Sequence, residues 1–390
     1  MGHMKALDGF RGLAVLLVMW SHFIAVTPGW GQATEPLARL LQAGHYGVDL
    51  FFLLSGFLIT GILLDAKGKA GYFKIFIMRR VLRIFPLYYA VLAMAYGGSW
   101  LLVADSSAPQ ASADSSLWFW FYASNWGMVI KGWGTPNGAW LSTPDWFSLG
   151  HFWSLAVEEQ FYLFWPWVVA ALDRRSLGRL CIGFLFLAPI LQSCLVDLAG
   201  NSLSGYVSTF GRLNTLGIGA WLAIAYRDPQ RWESLQRHAG RAFAISGAIL
   251  VTVIAGNWNS SLWKLDLLSA LIPICFGSAL VFALRSGGNP WQTLLSSSPM
   301  RFFGTYSYGL YVYHHLLKPV WVEVFWESWI IPHCGTGPLA VACYFVLAGT
   351  ASTGLAMLSW VLLERPCLNF KRWFTYPERQ PSTPNIPPGT

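Results

Sequence analysis

Ten apolar stretches, separated by polar segments, run along this chain of 390 residues. They occupy approximately residues 11–27, 47–64, 84–104, 151–172, 179–197, 206–226, 241–256, 266–285, 302–326 and 339–363. A stretch buried in hydrocarbon must satisfy its backbone N–H and C=O groups internally, which leaves little besides the helix. About 20 residues cross the core of a bilayer. Several of these stretches are shorter, and the last is long enough to cross with some tilt. Charged residues make up 11% of the chain, against about 25% in a soluble domain. Hydrophobic residues reach 55%, with 22 tryptophans. The expected fold is all-α: a polytopic membrane protein with about ten transmembrane helices. No internal repeat is evident. One membrane domain is expected over residues 1–376, followed by a Pro-rich cytoplasmic tail at 377–390.

Orientation follows from the basic residues. With the N-terminus placed in the cytoplasm, 21 of the 26 Lys and Arg fall on the cytoplasmic side. This asymmetry is the positive-inside pattern, and it predicts that both termini are cytoplasmic. The net charge of +8 is thereby assigned to membrane orientation, and no nucleic-acid partner is expected. The six cysteines show no C-x-x-C spacing and mostly sit within apolar runs. They are read as packing residues, with neither a metal site nor a disulfide framework. The first apolar run lacks a small-residue cleavage site and retains Trp20 and His22, so no cleavable signal peptide is expected. The stretch from about 105 to 150 is expected on the outer side. Its aromatic portion, Leu117 to Ile130, is expected to lie in the interface or dip back into the membrane.

The residues that carry chemistry begin on the first helix. Arg11 and His22 are eleven positions apart, roughly 1100° of rotation and close to three whole turns. They share one face, about 16 Å apart along the axis. Asp8 lies three residues before Arg11 and can pair with it. An ionisable group within a membrane helix is by default a functional candidate. The run Met78 to Pro86 contains Arg80 and Arg83, i, i+3 neighbours on a helix. Paired guanidiniums at a membrane edge suit phosphate, because each planar fork offers two donors. In the segment from His151 to Tyr162, Ser154, Glu158 and Tyr162 stack at i, i+4, i+8. Fainter signals are Asp49 before an apolar run, Arg212 with Asn214, the Tyr308–His315 cluster, and Glu364-Arg365-Pro366, where Pro is expected to stop the last helix.

In order along the chain, these segments resemble the acyltransferase-3 family of integral membrane acyltransferases. That family includes bacterial O-acetyltransferases of surface polysaccharides. The resemblance rests on Leu7-Asp8-Gly9-Phe10-Arg11-Gly12 with His22, on Gly47-Val48-Asp49-Leu50-Phe51-Phe52 with Ser55-Gly56-Phe57, and on Arg80-x-x-Arg83. It continues through Trp153-Ser154-Leu155-x-Val157-Glu158, Phe161-Tyr162, Tyr308 to His314, and Glu364-Arg365-Pro366. The resemblance implies ten core spans in the cell inner membrane, with acyl-CoA as co-substrate and no bound cofactor or metal. It implies His22 as the catalytic residue and places the family glutamate at Glu158, which is assigned to the catalytic group beside His22, to orient it or to hold sugar hydroxyls. The residues carry the reading further. Asp8 is placed with the catalytic group. Arg11, Arg80 and Arg83 are assigned to the donor, and Tyr162, Asp49, Arg212 and His314 to the acceptor. Asn214 stands where relatives often have an acidic residue. The chain ends soon after the tenth stretch, which corresponds to the stand-alone form in this family. The expected activity is transfer of an acyl group, acetyl above all, from cytoplasmic acyl-CoA to a carbohydrate hydroxyl. The expected partners are the lipid bilayer, acyl-CoA and a carbohydrate such as an exopolysaccharide, O-antigen or lipid-linked oligosaccharide. The rival reading is a proton-coupled transporter of a sugar or glycoconjugate, with the same ionisable residues lining its path.

Overall fold

The computed structural model describes residues 4–25, 36–97, 116–132, 147–256, 262–285 and 287–377. Most of the stretch at 105–150 and the tail from 378 onward lie outside them. Among the described residues each expected stretch overlaps a main helix: α1 (Lys5–Ile24), α2 (Gly47–Ala66), α3 (Tyr72–Leu92), α4 (Phe152–Ala171), α5 (Arg174–Ala199), α6 (Leu213–Ala225), α7 (Pro229–Ala255), α8 (Leu262–Ala283), α9 (Ser307–Leu316) and α10 (Pro338–Ser359), with shorter helices between them. Among the described residues, six helical segments are long and apolar enough to cross a membrane. They contain α1, α2, α5, α7, α8 and α10. The other four depart from that pattern for visible reasons. α3 carries Lys74, Arg79, Arg80 and Arg83, and α4 carries Glu158 and Glu159. α6 has only 13 residues and α9 only 10. The polar or short helices hold half of the ten candidate residues: Arg80 and Arg83 on α3, Glu158 and Tyr162 on α4, and His314 on α9.

Close helix contacts place α1 at the centre of the site. Gly9 and Gly12 lie against backbone carbonyls of Leu295 and Met300, and Gly304 lies against the carbonyl of Asp8. A Cβ at any of the three would collide with backbone, so α1 and the short helix Ser298–Thr305 can approach only through glycine. Gly56 and Gly219 do the same between α2 and α6. Above this contact Phe10, Ala14, Val15, Val18 and Met19 are fully or nearly fully buried, so α1 is a core helix.

Two expectations about segment ends have definite outcomes. The aromatic part of the outer stretch folds back onto helices. Tyr88 donates to the carbonyl of Phe119 at 2.7 Å, and Gln160 on α4 donates to Tyr122 O at 2.8 Å and Asn125 Oδ1 at 2.9 Å. Pro366 does not stop the last helix. α10 continues through a π-turn, Trp360–Glu364, into the helical turn Arg365–Asn369, with Pro366 in the opening positions of that turn. A proline is tolerated there because the π-turn that leads into it already departs from the i→i−4 bonding that Pro366 cannot continue.

Candidate active site

Arg11 and His22 lie on one unbroken helix, and each enters a different cluster. Around Arg11 is a cavity of about 110 Å³. Arg11 from α1, Arg80 and Arg83 from α3, Ser55 from α2, and Ser154, Glu158 and Tyr162 from α4 all line it. α9 contributes Ser307, Tyr308 and Tyr311. Arg11 is 3.6 Å from Asp8, one turn earlier. Glu158 accepts from Ser55 Oγ at 2.7 Å and from Tyr162 at 3.1 Å, and Ser55 and Tyr162 are themselves 3.0 Å apart. Three guanidiniums thus face one carboxylate. The Arg80 guanidinium lies 6.0 Å from the Tyr162 ring centre, and its buried Nε has no hydrogen-bond partner. A buried guanidinium nitrogen without a partner is costly, and an anion is the ligand that satisfies it. Behind Arg80 lies a second basic cavity of about 310 Å³, lined by Lys69, Arg79 and Lys371 with Asp65 and Tyr376.

Around His22 is a cluster of imidazoles. His22 Nδ1 is 2.8 Å from Nε2 of His314, which is fully buried on α9. The His315 ring lies 4.7 Å from that of His22. His151, at the N-cap of α4, lies 4.7 Å from His315 and 5.8 Å from His314. Tyr311 joins this cluster to the arginine cavity. Its hydroxyl meets Ser154 Oγ, a residue of the cavity wall, and donates to the His151 carbonyl at 3.1 Å. Its ring is 5.7 Å from that of His314.

The candidates divide between the two clusters in a way their order along the chain did not suggest. His314, assigned to the acceptor, is the hydrogen-bond partner of His22. Tyr162, also assigned to the acceptor, belongs to the arginine cavity with Glu158. No hydrogen bond joins Glu158 to His22 among the described residues. It is His151, seven residues earlier, that α4 brings to the imidazoles. Asp49 and Arg212 sit apart from both and pair with each other at 2.6 Å, both buried. Arg212 also stacks 4.2 Å over Tyr206. Asn214, beside them in sequence, donates to Ser269 Oγ at 2.7 Å. His315 belongs to the Tyr308–His315 cluster noted in the sequence, whereas His151 carries no role in that reading. The stretch that carries His151 had been read for its carboxylates.

Comparison with known proteins shows the family. The family described as acyltransferase domain, the acyltransferase-3 family, matches residues 4–360. A Bacillus subtilis (strain 168) protein provisionally named peptidoglycan O-acetyltransferase YrhL is 29% identical over 387 residues, covering 93% of this chain and 55% of its own length. The Staphylococcus aureus (strain MSSA476) protein provisionally named O-acetyltransferase SAS0844 is 30% identical, covering 94% of this chain and 57% of its own. The peptidoglycan O-acetyltransferase OatA of Listeria monocytogenes is 27% identical over 89% of this chain and 54% of its own length. The chain thus spans about half the length of the curated relatives it matches. No solved structure matches. With the match running from α1 to the end of α10, and with Arg11, His22, Arg80, Arg83 and Glu158 all within it, the chain belongs to the acyltransferase-3 family of membrane acyltransferases.

Proposed function

We propose that this protein transfers an acetyl group from cytoplasmic acetyl-CoA to a carbohydrate hydroxyl, with a peptidoglycan sugar as the first acceptor to test. The observation that carries this reading is the division of α1: cationic at Arg11, with Arg80 and Arg83 beside it, and basic in the Brønsted sense at His22. The arginines hold donor phosphates, for which their forked guanidiniums are suited. About 16 Å of helix then separates them from the imidazole, by the rise per residue. That is the order of length of an extended pantetheine arm, so the thioester reaches His22 while the nucleotide remains at the cytoplasmic edge. The relatives' names support peptidoglycan as the acceptor, and the 21-to-5 basic asymmetry supports a multi-pass protein of the cell inner membrane whose donor side faces the cytoplasm.

In this reading His22 removes the proton of the acceptor hydroxyl as its oxygen attacks the thioester carbonyl carbon. The tetrahedral oxyanion collapses with cleavage of the C–S bond. The departing CoA thiolate takes the proton back from His22, leaving the ester and free CoA. No metal enters any step.

The test is full-length protein in lipid nanodiscs with acetyl-CoA and muropeptide or oligosaccharide acceptors, read by thiol release and by acetyl-ester mass. Thiol release that depends on the acceptor is the expected result. Labelled sugar accumulating in proteoliposomes, with no CoA released for any acceptor, would replace the enzyme by the transporter.

A further inference from the structure

His314 carries no role in the reaction written above, although its contacts fix something that reaction needs. Its Nδ1 lies 3.0 Å from the main-chain carbonyl of Leu310, one turn earlier on α9. A carbonyl oxygen only accepts, so Nδ1 must carry a proton. A neutral imidazole has one N–H, so His314 Nε2 is bare and can only accept. His22 Nδ1 is 2.8 Å from that nitrogen, so the proton between them belongs to His22. The rings are inclined by only 13° with centres 5.1 Å apart. With the two nitrogens this close, the rings meet edge to edge, as an N–H···N bond requires, rather than face to face.

We infer that His314 is a positioning residue: the Leu310 carbonyl fixes its tautomer, it fixes the tautomer of His22, and the lone pair of His22 is thereby held on Nε2, free for the acceptor hydroxyl. His22 is only partly buried, so it keeps an accessible edge, whereas His314 is fully buried. No hydrogen bond from a described residue occupies His22 Nε2. The chain carbonyl–imidazole–imidazole performs the orienting task that a carboxylate performs in many acid–base pairs, without placing an anion in an apolar setting. When His22 takes a proton, its Nδ1–H stays bonded to His314 and the imidazolium keeps its orientation. The other titratable groups around His22 are His315 on α9, His45 before α2, and Lys318 just past α9, with His151 beyond His315. None is an anion that would hold His22 in the opposite tautomer.

This inference rests on His22 acting as the base, and its test separates the two. Full-length protein with 15N-labelled histidine in nanodiscs is read by solid-state NMR, with His22 assigned by difference from His22→Gln. The expected signature is a proton on Nδ1 and a bare Nε2 at His22, and its loss in His314→Phe. A wild-type His22 protonated on Nε2 overturns the inference, whatever the activity. In turnover, His314→Phe fills the space without an acceptor and should lower kcat about 10²-fold, with KM for acetyl-CoA unchanged. His314→Gln brings a carbonyl oxygen close to the lost Nε2 and should recover at least about tenfold of that loss. Equal activity in the two variants, or better activity in His314→Phe, would make His314 a packing residue. Absence of acetyl-CoA turnover in the wild type would end the proposed function and leave the tautomer measurement to decide the bond pattern.

Discussion

Arg11 and His22 share a helix, yet their surroundings are built on opposite principles. The arginine end collects like charges. Arg11, Arg80 and Arg83 converge on one cavity with Glu158 as its carboxylate, and the Arg80 Nε is left without a partner. Such a cluster is electrostatically incomplete by itself, which suits the anionic donor proposed for it. The histidine end is built of imidazoles bonded to one another. His22, His314 and the Leu310 carbonyl form a chain of hydrogen bonds packed among other rings. It offers one lone pair and little attraction for charge. A site that binds a polyanion and does acid–base chemistry on a neutral hydroxyl gains from keeping the two apart. Guanidiniums next to the imidazole would oppose its protonation.

The sharpest way to break this division is His22→Ala. A helix interior tolerates alanine, so the fold persists. Acetyl transfer should fall by at least about 10²-fold, the usual size of general-base catalysis. Acetyl-CoA affinity should hold within about twofold, because no phosphate contact is lost. Near-normal turnover would remove the base from this end of α1. A large loss of affinity would show that the two clusters are one site.

The complementary test acts on the arginine end. Arg80→Ala and Arg83→Ala should each weaken acetyl-CoA binding about tenfold or more, from the loss of charge-assisted hydrogen bonds of roughly 1.5–3 kcal/mol. Lys69→Ala removes an equal charge from the turn before α3 but sits outside the Arg11 cavity, and should have a smaller effect. Titration of each variant with CoA and with dephospho-CoA measures both the loss and the phosphate responsible. Equal small effects from all three would reduce the arginines to membrane-orientation charges.

The arginine end was legible in the sequence and the histidine end largely was not. Arg80 and Arg83 are i, i+3 neighbours within one helix, so local spacing was enough to pair them. Asp8 and Arg11 pair across one turn for the same reason. His22 and His314, by contrast, are 292 positions apart, and nothing in helical periodicity brings α9 against α1. The glycine contacts that seat the preceding short helix, Ser298–Thr305, against α1, Gly12 on Met300 and Gly304 on Asp8, are readable only once both helices are in place. The same limit explains Asp49 and Arg212. Assigned to the acceptor from separate stretches, they pair with each other across 163 positions, which helical periodicity does not reveal. The outline of helices was readable wherever a stretch was uniformly apolar. It was least so at α3, whose charged first half precedes the apolar stretch at 84–104, and at α9, which is much shorter than the stretch at 302–326.

Glu158 gives the finest test of the division, because it was expected beside His22 and lies instead among the arginines. Its carboxylate is held by Ser55 and Tyr162, and Glu158→Gln keeps an acceptor for both hydroxyls while removing the charge. One anion fewer in a cavity with three guanidiniums reduces repulsion of the donor phosphates. Acetyl-CoA should therefore bind about two- to fivefold more tightly. If Glu158 serves the donor end alone, kcat should change by less than about tenfold, below the 10²-fold range of a lost general base. Tighter binding with a small change in kcat places Glu158 in the arginine cluster. A loss of kcat as large as that of His22→Ala, with affinity unchanged, would mean that the carboxylate acts on the imidazole during turnover and that the two ends of α1 close on each other when substrate is bound.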